Sequence, residues 1–311
     1  MSMQSLNTKI EQISNDLYLI TLTPLIRGFD NFISVWLHKG KKTFIIDVGP
    51  SVTSADLITA LRGLKVDHLD YIFLTHIHLD HAGGIGEISS CYPKTPIICH
   101  QAGIDHLVDP NLLIEGTIKA LGDTGRAYGL IQPVLKDQLM DAGQFVSDGI
   151  VPVITPGHSQ HHVSYLTEEY LFVGEAAGVC FPIASGTGDY MRPATPPRFF
   201  LDITIKSIDD LIARKPKKIC FSHFGIKDDS VKMLKAHKDQ LLLWEKLISE
   251  QMKRSREEDF LNTCMDVLLK SDPRMAGFSC LDESVQERER TFIYNSIKGF
   301  HGYLKTVSNN S

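Results

Sequence analysis

The chain has 311 residues, 43% of them hydrophobic and 22% charged, and a formal net charge of -5 at pH 7. That length and apolar content suffice for one large core, or for a domain with an appendage. The acidic balance supplies neither a basic field for nucleic acid nor a polybasic patch for an anionic membrane surface.

In chain order, the opening MSMQSLNTKIEQ lacks a basic segment followed by an apolar one. The β-rich runs LYLITLT, NFISVWLHKG and KKTFIIDVG come next, then a helical SADLITALRGL, then LDYIFLTH and TPIICH. Such alternation predicts sheets with helices on their outer faces. A mostly helical insert follows over residues 101–144, with DPNLLIEGTIKALGDTGRAYGLI as its long helix. The theme then repeats: IVPVITPGH, HHVSYLTEEY, LFVGEAA, the helix FLDITIKSIDDLIARKP, and KKICFSH. Beyond Gly225 the pattern is almost purely helical, and the last helix is expected to open with a capping box at Ser284 and Glu287. That helix places Phe292, Ile293, Ser296, Ile297, Phe300 and Leu304 on one stripe. The expected organisation is therefore a domain over 1–225 and a helical extension over 226–311. SNNS at the end is the one candidate for disorder. No stretch approaches the ~18 continuous apolar residues of a membrane helix. Cys91, Cys99, Cys180, Cys220, Cys264 and Cys280 lack CxxC spacing and read mostly as reduced core residues of a cytoplasmic protein.

The densest chemical signal is FLTHIHLDHAGGIGE, Phe73 to Glu87. His76, His78, Asp80 and His81 form HxHxDH where an apolar strand runs out into glycines. Neutral imidazole is the commonest protein ligand for zinc and also suits iron, and a carboxylate adds a harder, charge-neutralising donor. Four donors packed so closely are hard to arrange around one tetrahedral ion, so a pair of metals explains them better.

Five features in order, spanning roughly residues 10–225, resemble the metallo-β-lactamase superfamily, closer to its glyoxalase II-like and quinolone-signal thioesterase-like branches than to the antibiotic-degrading enzymes. They are FIIDVGP, THIHLDH, VITPGHSQHHVSYL, LFVGEAAG and ICFSHFG. The resemblance implies an α/β fold, the αββα sandwich of that superfamily with a C-terminal helical extension that covers the active site. It implies that His76, His78 and His158 hold one divalent ion and that Asp80, His81 and His223 hold a second, with residue 175 bridging. Zinc is the first expectation, iron or manganese the alternatives. The ions would share a water whose lowered pKa makes hydroxide available near neutral pH, and Asp80 would also steer a proton. Asp47 is either a strand-end turn residue or the group that orients a ligand histidine.

One position departs from the family pattern. Glu175 stands where an aspartate is expected, so it bridges with its backbone set back, binds one ion, or only supports the ligands; coordination is favoured. For His161 and His162, placement at the surface or behind the ligands is favoured over substrate contact by one of them, and His100 is favoured as a strand-end residue over a place on the pocket rim. Leu241, Leu242, Trp244, Leu247 and Ile248 read as helix-packing core before they read as a tunnel. The proline-rich stretch Gly178–Phe200 reads as an active-site loop, with Tyr190 and Arg192 as weak candidates for substrate contact.

The expected activity is metal-dependent hydrolysis of an ester, thioester or lactone. An iron-dependent oxidoreductase resembling persulfide dioxygenases, and a non-catalytic metal-containing regulator, are the alternatives. A small-molecule substrate is expected, with no nucleic-acid or membrane partner, and a homodimer through the helical tail. Glutathione is a doubtful substrate, because the tail has no evident cationic cluster.

Overall fold

The computed structural model describes residues 8–147, 149–183, 188–254 and 256–309. Most of the opening segment, part of the stretch Gly178–Phe200 and the end of SNNS lie outside those residues. The chain divides into two compact units.

The first unit runs up to Ile154 and takes in Val163–Tyr165 and Ser222–Gly225. Among the described residues it holds a seven-stranded sheet, in chain order: β1 (Thr8–Gln12), β2 (Leu17–Leu22), β3 (Ile33–Lys39), β4 (Thr43–Ile46), β5 (Tyr71–Phe73), β6 (Ile97–Cys99) and β7 (Leu139–Asp141). β1 to β4 are antiparallel meanders, whereas β4 to β7 pair in parallel. Parallel pairing requires crossovers, and helices supply them. α1 (Ser54–Gly63) joins β4 to β5, and α2 (Leu79–Ala82) with α3 (Ile85–Cys91) joins β5 to β6. Because Ile46 of β4 pairs with Phe73 of β5, both strands end at one edge. Asp47 and the Thr75–His81 segment therefore leave the sheet side by side, at the carboxyl ends of parallel strands where α/β proteins place their chemistry. The strands that carry them are rooted in a dry core, with Leu17, Ile20, Val35, Leu37, Ile45 and Ile72 each 0% exposed.

The insert holds α4 (Gln101–Val108), α5 (Asn111–Leu121) and α6 (Asp123–Ala127) before β7. The single long helix expected there is broken at Gly122, whose φ of +57° no helical residue adopts. β8 (Val151–Ile154) and β9 (Val163–Leu166) follow.

The second unit comprises Thr155–His162, Leu166–Phe221 and the chain from Ile226 onward. It carries β10 (Tyr170–Gly174), β11 (Val179–Pro182), β12 (Asp189–Arg192), α7 (Leu201–Ala213), β13 (Lys218–Phe221) and β14 (Ile226–Lys227), then the long helices α8 (Ser230–Met252), α9 (Phe260–Ser271) and α10 (Glu283–Asn309). Within it β10 pairs with β13 in parallel, and β13 with β14 antiparallel. β11 and β12 form an antiparallel hairpin in the stretch read as a loop. Its prolines, Pro182 and Pro193, sit at the last strand position and just beyond a strand, where a missing N–H costs little.

α8, α9 and α10 pack through an apolar seam that includes Leu241, Trp244, Ile248, Ile293, Ile297 and Phe300, each 0% exposed. Trp244 and Phe300 approach to 6.0 Å between ring centroids. The helix-packing reading of Leu241, Trp244 and Ile248 is met, while Leu242 is 43% exposed. α10 begins at Glu283, so Ser284 lies in its first turn and not at the expected capping position. No helix among the described residues is long and apolar enough to cross a membrane. None of the six cysteines is in a disulfide; Cys91 and Cys280 are exposed and the other four buried.

α8 also buries an imidazole. Burial, and then the charge of Arg274, push the pKa of His237 down from 6.5 to about 3. Between those values the unfolded chain binds one proton that the folded chain refuses, so stability falls as pH drops below about 6.5. The slope is about 1.4 kcal/mol per pH unit. In metal-free protein, His237→Gln is expected to shrink the loss of unfolding free energy between pH 7 and pH 5 by about 2 kcal/mol, measured by urea titration. An unchanged acid limb in the variant contradicts this.

Candidate metal centre

The centre begins with a buried carboxylate. Asp47, 0% exposed, follows β4 in the left-handed region at φ +59°, a conformation aspartate tolerates better than most residues. Its Oδ1 accepts from the Thr75 amide at 2.8 Å, and its Oδ2 accepts from the Thr75 hydroxyl at 2.8 Å and the Ser222 hydroxyl at 2.7 Å. His81 Nδ1 lies 3.1 Å from the same Oδ2. An ionised carboxylate only accepts, so Nδ1 of His81 carries the proton and Nε2 keeps its lone pair.

The same logic fixes two more rings. His223 Nδ1 is 3.0 Å from the Phe32 carbonyl, and His158 Nδ1 is 2.6 Å from the Ala194 carbonyl. Carbonyls cannot donate, so both rings present Nε2 as a donor atom. His76 follows through a relay: its Nδ1 is 3.0 Å from the Thr75 hydroxyl, which has already given its proton to Asp47 and so accepts. Each ring is thus set in the tautomer a metal ligand needs, and the donor set of imidazoles and carboxylates fits a divalent ion.

The residues read from the sequence fall into two groups. His76, His78, His158 and Glu175 each offer a ligand atom, and these atoms lie within 4.8 Å of one another. Asp80, His81 and His223 form the second group by the same measure. In the second, Asp80 Oδ2 is 3.5 Å from His81 Nε2 and 3.9 Å from His223 Nε2. Two ligands of one tetrahedral ion at zinc distances stand about 3.4 Å apart, so the spacing suits a shared ion better than hydrogen bonding. In the first, His158 Nε2 and Glu175 Oε2 are 2.9 Å apart.

Local chain features explain these placements. His78, extended at ψ 149°, caps the four-residue α2, which turns Asp80 and His81 back toward the strand ends. Gly83 sits where a Cβ would meet the Leu79 carbonyl at 2.3 Å and the Ser51 amide at 2.8 Å, so the motif's glycine is required by backbone contact and not by φ. His223 is pinned at β3 by a backbone bridge to Ile33, by Ser34 N–H donating to the Ser222 carbonyl at 2.9 Å, and by a tilted ring contact with Phe32, just before the strand, at 4.2 Å between centroids.

Two supporting residues, Thr75 and Ser222, escaped sequence reading. Thr75 and Ser222 are both hydroxyl residues directly before a histidine of these two groups, in THIHLDH and SHFG; that shared position was the available signal. His162, 0% exposed, donates from Nδ1 to Thr155 Oγ1 at 2.8 Å and accepts the Glu175 amide at Nε2, at 3.1 Å. With both ring nitrogens engaged, it sets the backbone of Glu175. His100 accepts from the Ala102 amide as the cap of α4. Tyr190 and Arg192, considered for substrate contact, are buried at 0% and 3% exposure, with Arg192 in an ion pair with Glu289, so that expectation is corrected.

Residues 29–223 match the family model of the metallo-beta-lactamase superfamily. The chain belongs to that superfamily. A metallo-beta-lactamase fold-containing protein of Sulfurisphaera tokodaii, ST1585, is 31% identical over 229 residues, covering 70% of this chain and 82% of that protein. The crystal structure of ST1585, from Sulfolobus tokodaii, aligns with a TM-score of 0.68 at 26% identity, over 93% of this chain and 99% of that one. Hydroxyacylglutathione hydrolase of Salmonella typhi is 27% identical over 168 residues, 52% of this chain and 54% of that enzyme; the match thus spans about half of the hydrolase. The metallo-beta-lactamase fold expected from the motifs is the fold observed, and the chain's superfamily membership fits a metal-dependent hydrolase with a metal-binding cluster.

Proposed function

We propose that this protein is a cytoplasmic metal-dependent hydrolase with two divalent ions, zinc first, that cleaves an ester, thioester or lactone carrying a moderately apolar acyl group. The observation that carries the reading is the pair of donor groups in which His76, His81, His158 and His223 are already fixed in the ligating tautomer. His76, His78, His158 and Glu175 would hold one ion and Asp80, His81 and His223 the other; the grouping favours Glu175 as a ligand of one ion. The likeness to hydroxyacylglutathione hydrolase supports thioester cleavage. A small-molecule substrate, with no nucleic acid or membrane, and a homodimer through the helical tail complete the reading.

Divalent ions bound there supply a lowered pKa for water and a Lewis acid for the substrate carbonyl. The chain supplies the rest. Asp47 keeps the proton on His81 Nδ1, and His162 fixes the strand end that bears Glu175. Asp80, with 15% of its side chain accessible, can take the proton of the attacking water at a carboxylate oxygen and give it to the leaving group as the tetrahedral intermediate collapses.

The test is metal analysis of the purified protein, then a screen of p-nitrophenyl esters, acyl thioesters, lactones and phosphodiesters with and without added Zn²⁺, Fe²⁺ or Mn²⁺. Turnover of an acyl substrate, lost on chelation and restored by metal, is the expected result. Oxygen uptake with a thiol substrate and bound iron, or no turnover by fully loaded protein, overturns it.

A further inference from the structure

The hairpin strand β12 runs directly into the segment that holds a ligand histidine. Ala194, two residues beyond Arg192, offers the carbonyl on which His158 Nδ1 rests at 2.6 Å. What holds that segment is α10. Arg192 donates from Nε to Glu289, and its Nη1 reaches the neighbouring Pro193 carbonyl at 3.2 Å. One helical stretch further on, the Ser296 hydroxyl meets both the Pro193 carbonyl and the Thr195 amide at 3.4 Å, while the Thr195 hydroxyl faces the Ser296 carbonyl at 3.4 Å. At Gly299 a Cβ would sit 2.3 Å from the Pro196 carbonyl, so helix and segment touch backbone to backbone. Residues 192–196 are thus gripped at successive points by a single helix.

The charges in that grip are costly to bury. Arg288 also donates to Glu289, from Nε at 2.9 Å, so two guanidiniums share one carboxylate. Burial alone would raise the Glu289 carboxyl, and Arg192 and Arg288 outweigh it to hold its pKa below the ordinary value. Burial works against the charge of Arg192, which Glu289 foremost, then Tyr190 and Glu175, hold in place. Packed apolar residues of similar volume commonly match or exceed a buried ion pair in stability, so stability alone is a weak reason for the cluster. What an apolar patch cannot supply is fixed direction.

We propose that Glu289 is a positioning residue for the metal ligand His158, acting through Arg192 and the Ala194 carbonyl, with Ser296 as a second anchor; the helical tail is thereby part of the metal centre. The inference rests on the reading of His158 as a ligand.

The test titrates metal-free wild type, Glu289→Gln, Glu289→Asp, Ser296→Ala and His158→Ala with Co²⁺, following the two binding steps by d–d absorption, with circular dichroism as the check on fold. Glu289→Gln should weaken about 10- to 100-fold the step that His158→Ala abolishes, and leave the other step unchanged. Glu289→Asp should recover part of that loss, and Ser296→Ala should weaken the same step several-fold. Equal weakening of both steps, or no change in a folded variant, overturns the proposal while the ligand reading stands. If His158→Ala itself leaves both steps intact, the ligand reading fails and the proposal with it. Should Glu289→Gln not fold, Ser296→Ala decides, since it alters no charge.

Discussion

Asp80→Ala is expected to lower kcat/KM for an accepted acyl substrate by about 10²- to 10⁴-fold, the range for removal of a general acid–base group. It should also release the ion held with His81 and His223. Asp80 is the one anionic donor in that group; without it, two neutral imidazoles face a divalent cation with no charge compensation. The loss should leave the fold intact, because Asp80 lies on the rim of the four-residue α2 and not in the core. Asp80→Asn retains one oxygen donor but cannot accept the proton, so it should keep more metal than alanine while losing similar activity. Metal content after dialysis, kcat/KM and the thermal midpoint together check this. An Asp80→Ala protein that holds both ions and full activity sinks both the ligand and the proton-transfer role.

How much of this site was legible depended on sequence distance. THIHLDH gave itself away, because β5 is a short apolar run and the four donors soon after it lie within a span of six residues. His158 and His223 carry no local signature; they were reached by the order of family-like segments, which is resemblance and not spacing. The Ser222 hydroxyl on Asp47 joins residues 175 apart, and Arg192 on Glu289 residues 97 apart, separations at which no periodicity carries information. The β11–β12 hairpin was hidden because prolines and glycines over Gly178–Phe200 signal turns as strongly as they signal strand ends. Gly122 did carry a break signal within LGDTG, but the apolar spacing on either side read through it. Where a residue's role is set by its immediate neighbours the sequence sufficed, and where it is set by a partner from another element only coordinates could supply it.

Asp47→Ala should be the most damaging substitution outside the ligands. The Thr75 amide and hydroxyl, the Ser222 hydroxyl and the His81 ring all give their protons to this one carboxylate, and none of those groups has access to water sufficient to replace it: Thr75 and His81 are 0% exposed and Ser222 2%. Stranding buried donors costs about 1–3 kcal/mol each before relaxation, and a combined loss of about 3–5 kcal/mol is expected. Alanine also fits the left-handed backbone at position 47 poorly, which adds about 1 kcal/mol. Asp47→Asn separates the two effects. Asparagine accepts the backbone and the shape but turns one acceptor into a donor, opposing either Thr75 or the Ser222 and His81 pair. If the amide faces His81, the ring must accept at Nδ1 and place its proton on Nε2, the atom offered to the metal. Asp47→Asn should therefore recover part of the stability lost in alanine yet bind the ion of Asp80, His81 and His223 about 10- to 100-fold more weakly than wild type. Denaturant unfolding of metal-free protein reads the first quantity and metal titration the second. Wild-type affinity in a folded Asp47→Asn protein would show that the tautomer of His81 is set by something other than this carboxylate.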